Sequence, residues 1–264
     1  MKFSIAYSSC PNDAFIFHAM THDLVDLSGF KFQSHIMDID ELNKSAFQEK
    51  FDIIKISYHA YLFLKDKYTL LDSGSALGFG CGPLLVSKDG NNISSDSKIA
   101  IPGDLTTAAL LLKLWNRNFT NLKVLRFDEI MPAVASGEFD AGLVIHEGRF
   151  IFESYGLKKI IDLGAWWEEE TGSPIPLGCI VIKNNLSDYS QKISSIILSS
   201  IDYAFNNVSA SRSYIKSLAS EMDDKVIDEH IKLYVNDFSR SLGTKGKDAV
   251  KKLEEMALCQ GLIK

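Results

Sequence analysis

The chain has 264 residues, 46% hydrophobic and 23% charged, with a formal net charge of -6 at pH 7. That length suits one large domain or two modest ones, each able to bury a core. The acidic balance argues against a nucleic-acid partner, which needs clustered Lys and Arg, and no apolar run approaches the roughly 20 residues of a membrane span.

At the N-terminus, residues 2–7 alternate apolar and polar side chains and predict a strand. Ser4, Ser8 and Ser9 interrupt the apolar run that a secretory signal requires, and no long apolar run precedes Cys10. A cytoplasmic location is therefore expected. Pro11-Asn12-Asp13 reads as turn and cap, and AFIFHAM starts a helix. A second strand is predicted over 30–37. Asp38 caps a short helix that lines up Ile39, Leu42, Ala46 and Phe47. Residues 53–56 form a buried strand before the helical YHAYLFLKD.

A second unit repeats the scheme. Residues 98–101 and 124–127 predict strands, and 106–115 and 128–136 predict helices, the latter stopped by Gly137. Residues 141–145 form a buried strand ending at His146, and 159–163 add one more. GEFDAGLVIH also echoes EKFDIIKIS, each with Phe-Asp before a short apolar strand. The segments 82–86 and 176–182 read as linkers. Residues 193–205, 209–222, 223–234 and 244–260 carry apolar residues at helical spacing and are expected to pack on the first lobe. The result is an α/β chain of two lobes, mostly parallel in sheet, with 1–86 and 179–264 forming the larger lobe and 87–178 the smaller. The cleft between them is the default ligand site.

Several residues in that frame carry chemistry. His146 ends a strand that should face the cleft, and a neutral imidazole suits proton abstraction; the plainer alternative is a histidine supporting a turn. Lys55 and Ser57 end the matching strand of the first lobe, where they could hold a carboxylate or hydroxyl, although Ser57 could equally cap the next helix. Thr106-Thr107-Ala108 opens a helix, whose free amides favour polar or anionic groups. Asn12, Asp13 and Asn43 are polar cleft candidates by position. Gly78-Phe79-Gly80-Cys81-Gly82 precedes Pro83 and a strand, so it is neither a P-loop nor a dinucleotide fingerprint; it suits a turn or a flexing junction. His18 and His22, four apart, lack a third ligand, and the four cysteines form no C-x-x-C pair. No metal and no cofactor is expected. Trp166-Trp167 fits lobe packing or stacking on a ring-shaped ligand.

Taken together, SCPND with AFIFHA, Lys55-Ile56-Ser57-Tyr58, ALGFGCGPLLV, Ile101-Pro102-Gly103 with Leu105-Thr106-Thr107-Ala108, VIHEGRF and DLGAWWEEETGSPIPLG resemble the 1,4-dihydroxy-6-naphthoate synthases. They occur in order, and YVNDFS in the tail also fits. Ser9 stands where that pattern prefers Pro, and Asp104 where it prefers a basic residue. The resemblance implies a two-lobed, periplasmic-binding-protein-like fold of type II. It implies a carbon–carbon lyase of the futalosine route to menaquinone, which converts cyclic dehypoxanthine futalosine to 1,4-dihydroxy-6-naphthoate. It places the catalytic histidine on His146 and substrate contacts on Lys55, Ile56, Ser57, Thr107 and Ala108. The expected partner is the small-molecule substrate alone, with no nucleic acid and no membrane insertion; the oligomeric state, a homodimer included, stays open. A chorismate dehydratase on the same scaffold is the nearest rival, opposed by VIHEGRF and WWEEETG. A non-catalytic binding protein of the same fold is the other, and it should carry a leader or anchor.

Overall fold

A computed structural model describes residues 1–90, 93–219 and 223–263. The first run of elements is β1 (Lys2–Tyr7), α1 (Pro11–Thr21), β2 (Lys31–Ile36), α2 (Ile39–Phe47), β3 (Ile53–Ser57), α3 (Tyr58–Leu62), β4 (Tyr68–Leu70) and β5 (Ala76–Gly78). The second is β6 (Leu84–Ser87), β7 (Ile99–Ile101), α4 (Thr107–Trp115), β8 (Leu122–Val124), α5 (Phe127–Ser136), β9 (Ala141–Val144), α6 (Gly148–Ile151), β10 (Lys158–Asp162) and α7 (Leu163–Thr171). β11 (Ile175–Lys183) returns the chain to α8 (Ser190–Asn206), α9 (Arg212–Leu218), α10 (Asp224–Tyr234), α11 (Asp237–Arg240) and α12 (Gly243–Cys259). The expected helix over 209–222 ends outside the described residues.

The strands form two sheets, one per lobe. The first runs β2-β1-β3-β11-β4, with β5 also on β11; the second runs β10-β6-β9-β7-β8. Read from β2 and from β8, both follow one plan. A central strand (β3 or β9) lies parallel to its inner neighbour (β1 or β7) and antiparallel to a strand that crosses between lobes (β11 or β6). The Phe-Asp echo has a matching cause. Phe51 and Phe139 are both buried, while the Asp52 carboxylate accepts from Ser4 N at 2.9 Å and the Asp140 carboxylate from Lys98 N at 2.7 Å. Each aspartate thus ties the start of its strand to the neighbouring strand.

The two predicted linkers are strands. Leu84–Ser87 pairs in the second sheet and Ile175–Lys183 in the first. The change of sheet therefore falls between Gly78 and Leu84 and again between Asp162 and Ile175, a few residues before the expected boundaries at 86/87 and 178/179. A strand buried on both faces has no alternation to reveal it. Where the crossovers meet, backbone touches backbone: a Cβ on Gly82 would lie 2.2 Å from Gly164 Cα. Arg149 clamps this junction, donating to Gly82 O at 2.6 Å and to Asp162 Oδ2 at 2.5 Å.

Two cores flank the first sheet. Phe3, Ile5, Phe15 and Phe17 pack with Ile196, Ile197 and Ile201 of α8 on one face. On the other, Ile54, Ile56, Leu110, Leu111, Leu163, Trp167 and Leu253 form a cluster that continues into the second lobe. The helical tail covers the first lobe as expected, but α12 also reaches across, where Gln260 Nε2 donates to Leu114 O at 3.2 Å. Trp167 is fully buried, its Nε1 donating to Pro174 O at 3.2 Å, so it is a packing residue.

Candidate active site

A cleft whose open space, including the part continuous with solvent, is about 630 Å³ lies between the lobes at the carboxyl ends of β3 and β9. The first lobe contributes Ser8, Asn12, Asp13, Lys55 and Ser57, and the second Thr106, Thr107, Ala108 and His146; Ile39, Pro83, Leu177 and Tyr234 add apolar wall.

On the first-lobe side the polar groups are already ordered. Lys55 Nζ donates to Asp13 Oδ1 at 2.7 Å, with both side chains buried. Asp13 also accepts from Asn12 Nδ2 at 2.9 Å, from Ser8 Oγ at 2.7 Å and from Ser8 N at 3.2 Å. A buried ion pair survives only when its remaining lone pairs are satisfied in this way. Period-2 alternation in β3 turns Lys55 and Ser57 to the cavity and Ile56 to the opposite core. Ile56, expected among the substrate contacts, is therefore fully buried away from the lining. Asn43 is also behind the wall. It accepts from Ser57 N at 2.9 Å and donates to Ser57 Oγ at 3.0 Å, so it sets the angle of Ser57.

On the second-lobe side, Thr106 caps α4, its Oγ accepting from Ala109 N at 3.2 Å. The amides of Thr107 and Ala108 belong to the first helical turn and have no intrahelical acceptor. The Thr107 hydroxyl donates to Leu177 O at 2.7 Å and accepts from His59 N at 3.2 Å. It thereby joins the lobes at the cleft floor. Asp104 is exposed and outside the lining.

His146 sits where β9 stops, with φ +54°. For a non-glycine residue this left-handed backbone costs about 1–2 kcal/mol, and it turns the imidazole into the cleft instead of continuing the strand. The ring meets the Phe127 edge at 5.2 Å, and Nε2 has no protein hydrogen-bond partner. Burial pushes its pKa down to about 4; Asp13 opposes this and Lys55 adds to it. The ring is therefore neutral at pH 7, the state a proton acceptor requires.

Sequence reasoning missed Ser8, Cys81 and Tyr234 in the lining, and His230 beside it. His230 left one signal: α10 buries Ile227, His230, Ile231 and Tyr234 on one face, and a histidine on a buried face needs polar company. His18 and His22 pack on Tyr214 instead, with ring centroids 5.5 and 4.8 Å from it. Among the described residues no group of three or more His, Cys, Asp or Glu could hold a metal ion, and no helix is long and apolar enough to cross a membrane.

A family profile described as "Menaquinone biosynthesis" matches residues 3–258. The chain belongs to this menaquinone biosynthesis family. Among its relatives is a Thermus thermophilus protein named 1,4-dihydroxy-6-naphtoate synthase, 40% identical over 98% of this chain and 94% of that protein. A Streptomyces coelicolor protein of the same name is also 40% identical, with the same coverage. A crystal structure of an Archaeoglobus fulgidus protein superposes on this family member with a TM-score of 0.93 at 39% identity, covering 99% of this chain and 98% of that one. The alkanesulfonate-binding protein SsuA of Xanthomonas axonopodis, at 14% identity and a TM-score of 0.72 over 100% of this chain and 94% of its own, shares the fold alone. The fold is thus periplasmic-binding-protein-like, with two lobes.

Proposed function

We propose that this menaquinone biosynthesis protein is a carbon–carbon lyase that converts cyclic dehypoxanthine futalosine to 1,4-dihydroxy-6-naphthoate, with His146 as general base. The observation that carries the reading is a half-buried, neutral imidazole at a strand end, its Nε2 shielded from solvent, facing an interlobe cleft that has ordered polar groups on both lobes. The full-length relatives named as the synthase support the choice of reaction.

The roles follow from the chemistry. His146 takes a proton from the substrate as the ribose-derived fragment departs. The negative charge that develops needs donors fixed in advance, because reorienting them during reaction costs free energy. Lys55 Nζ, Ser57 Oγ and the first-turn amides of α4 are such donors. The apolar wall of Ile39, Pro83, Leu177 and Tyr234 suits the fused ring system, whose aromatisation helps drive the step. The Thr107 contacts with His59 and Leu177 hold the lobes together and keep water from the reacting atoms. Asn12 and Asp13 orient Lys55, and Asn43 orients Ser57.

The test is to incubate the purified protein with cyclic dehypoxanthine futalosine, without added cofactor, and to follow products by chromatography and mass spectrometry. The dihydroxynaphthoate should form. Tight binding of a different small molecule with no turnover would favour a binding protein instead.

A further inference from the structure

Tyr234 enters the reaction above only as apolar wall, yet it carries a hydroxyl. It ends α10, lines the cleft and is 7% exposed. Its ring packs on His230, with centroids 4.6 Å apart, and His230 in turn stands 6.3 Å from the ring of His146. Tyr234 is thus one ring removed from the base. Of the side chains in the apolar wall, Ile39, Ala76, Pro83, Leu177 and Tyr234, it alone ends in a hydrogen-bonding group.

Other buried tyrosines find their partners inside the protein: the hydroxyl of Tyr7 meets that of Tyr214 at 2.6 Å, and that of Tyr58 meets Ser75 Oγ at 2.9 Å. The Tyr234 hydroxyl has no hydrogen-bond partner among the described residues. The Tyr68 hydroxyl also lacks one but is sealed from solvent; that of Tyr234 is not sealed, and the space its side chain borders is the cleft. A shielded hydroxyl without a partner costs free energy until a ligand supplies the acceptor. Burial, with Cys81 adding to it, holds the phenol well above its ordinary pKa. It therefore keeps its proton and is a neutral O–H donor.

We propose that the Tyr234 hydroxyl donates to the carboxylate of the bound substrate and so sets which end of the fused ring system faces His146. This rests on the reaction proposed above. In 1,4-dihydroxy-6-naphthoate the two hydroxyls occupy one ring and the carboxylate the other. The carboxylate is therefore carried through the reaction unchanged, away from the carbons that react. With the reacting ring against His146 and the donors of β3 and α4, the far ring lies along the wall that includes Tyr234. A carboxylate taken out of water there must find a donor, and Tyr234 supplies one.

The charges nearby suit an anion at this point. Lys55 is committed to Asp13 and is not a free counter-charge. Arg149 stands behind the wall, held by Gly82 O and Asp162, and its positive charge acts on the Tyr234 hydroxyl more strongly than the opposing Glu147 does. A neutral donor with a cation behind it holds a carboxylate without placing a second full charge in the cleft. It also discriminates, because a compound that lacks the carboxylate leaves the hydroxyl unpaired.

The experiment compares wild type with Tyr234→Phe, which keeps the ring and its packing and removes only the hydroxyl. Because that hydroxyl bonds to nothing in the protein, Tm should not fall. Calorimetry under argon measures the Kd of 1,4-dihydroxy-6-naphthoate and of 1,4-dihydroxynaphthalene, which differ only in the carboxylate. Wild type should prefer the naphthoate. Tyr234→Phe should weaken naphthoate binding about tenfold or more, the usual worth of a hydrogen bond to a charged group, and change the Kd of the dihydroxynaphthalene by less than about threefold. In turnover the same variant should raise KM by a similar factor with a smaller change in kcat, the signature of binding shared by ground and transition states. Equal Kd values for the naphthoate in wild type and variant overturn the proposal, as does an equal loss for both compounds or a wild type with no preference for the carboxylate. Wild type that binds the naphthoate through Tyr234 but leaves cyclic dehypoxanthine futalosine uncleaved refutes the reaction instead, and leaves the carboxylate contact standing.

Discussion

At the scale of single residues, the site depends on a base kept neutral by its surroundings. Because burial lowers the His146 pKa to about 4, the imidazole is unprotonated from neutral pH down to mildly acidic pH. Turnover should therefore hold between pH 7 and 5 and fall as pH drops through about 4, and a pH–kcat profile reads this directly. Lys55 and Asp13 make the opposite demand, since each is stable only with the other. Lys55→Ala leaves a buried carboxylate with three remaining donations, from Ser8 N, Ser8 Oγ and Asn12 Nδ2. The expected cost is about 3–5 kcal/mol, measurable as a lower urea midpoint, together with a raised KM. Much of this was legible in the sequence: a histidine or a Lys-x-Ser at a strand's carboxyl end points at a cleft. Ile56 was carried into the site only by resemblance, and the alternation of β3 sends it to the core. His230 was not legible as a site residue, because its partners Asn12 and Glu147 meet it only in the folded chain.

At the scale of elements, the crossovers decide how the lobes meet. Gly82→Ala would drive a Cβ into the Gly164 backbone, which cannot move aside as a side chain can. Overpacking costs typically ~1–3 kcal/mol, and with backbone on both sides the upper end is expected; the urea midpoint of the variant measures it. Thr107→Val removes the hydroxyl that serves both Leu177 O and His59 N. A loss of about 1–3 kcal/mol is expected for the groups left unpaired, read as a rise in KM through looser lobe contact. The alternating strands and helices were legible because period and caps agree. The crossovers were not: β6 and β11 are apolar on both faces, and Gly82-Pro83 just before β6 and Pro176 and Gly178 within β11 look like linker. The Phe-Asp echo was legible as text, but its cause, a carboxylate tying neighbouring strands, needed the pairing of β1 with β3 and of β7 with β9.

At the scale of the molecule, two shielded histidines link stability to pH. His59 and His146 are both lowered to about 4, by burial first, against an ordinary value of 6.5. The unfolded chain therefore binds more protons than the folded one between about pH 6.5 and 4. Stability is full above that window and is lost as pH falls through it. Each residue should remove on the order of 2 kcal/mol between pH 7 and pH 5, so the urea midpoint should fall over that range. Replacing His59 with an apolar residue of similar size should make the fall shallower. The two-lobed plan itself was readable from the repeated order of elements, and the core shared between the lobes explains why both must fold to complete either.

The central claim is that His146, at the cleft between these lobes, takes the proton in the lyase reaction. The most direct measurement is kcat for His146→Ala on cyclic dehypoxanthine futalosine, with folding checked by circular dichroism. A fall of roughly 10²–10⁴, the usual contribution of a general base, is the predicted result. A folded variant that turns over the substrate at the wild-type rate would contradict it.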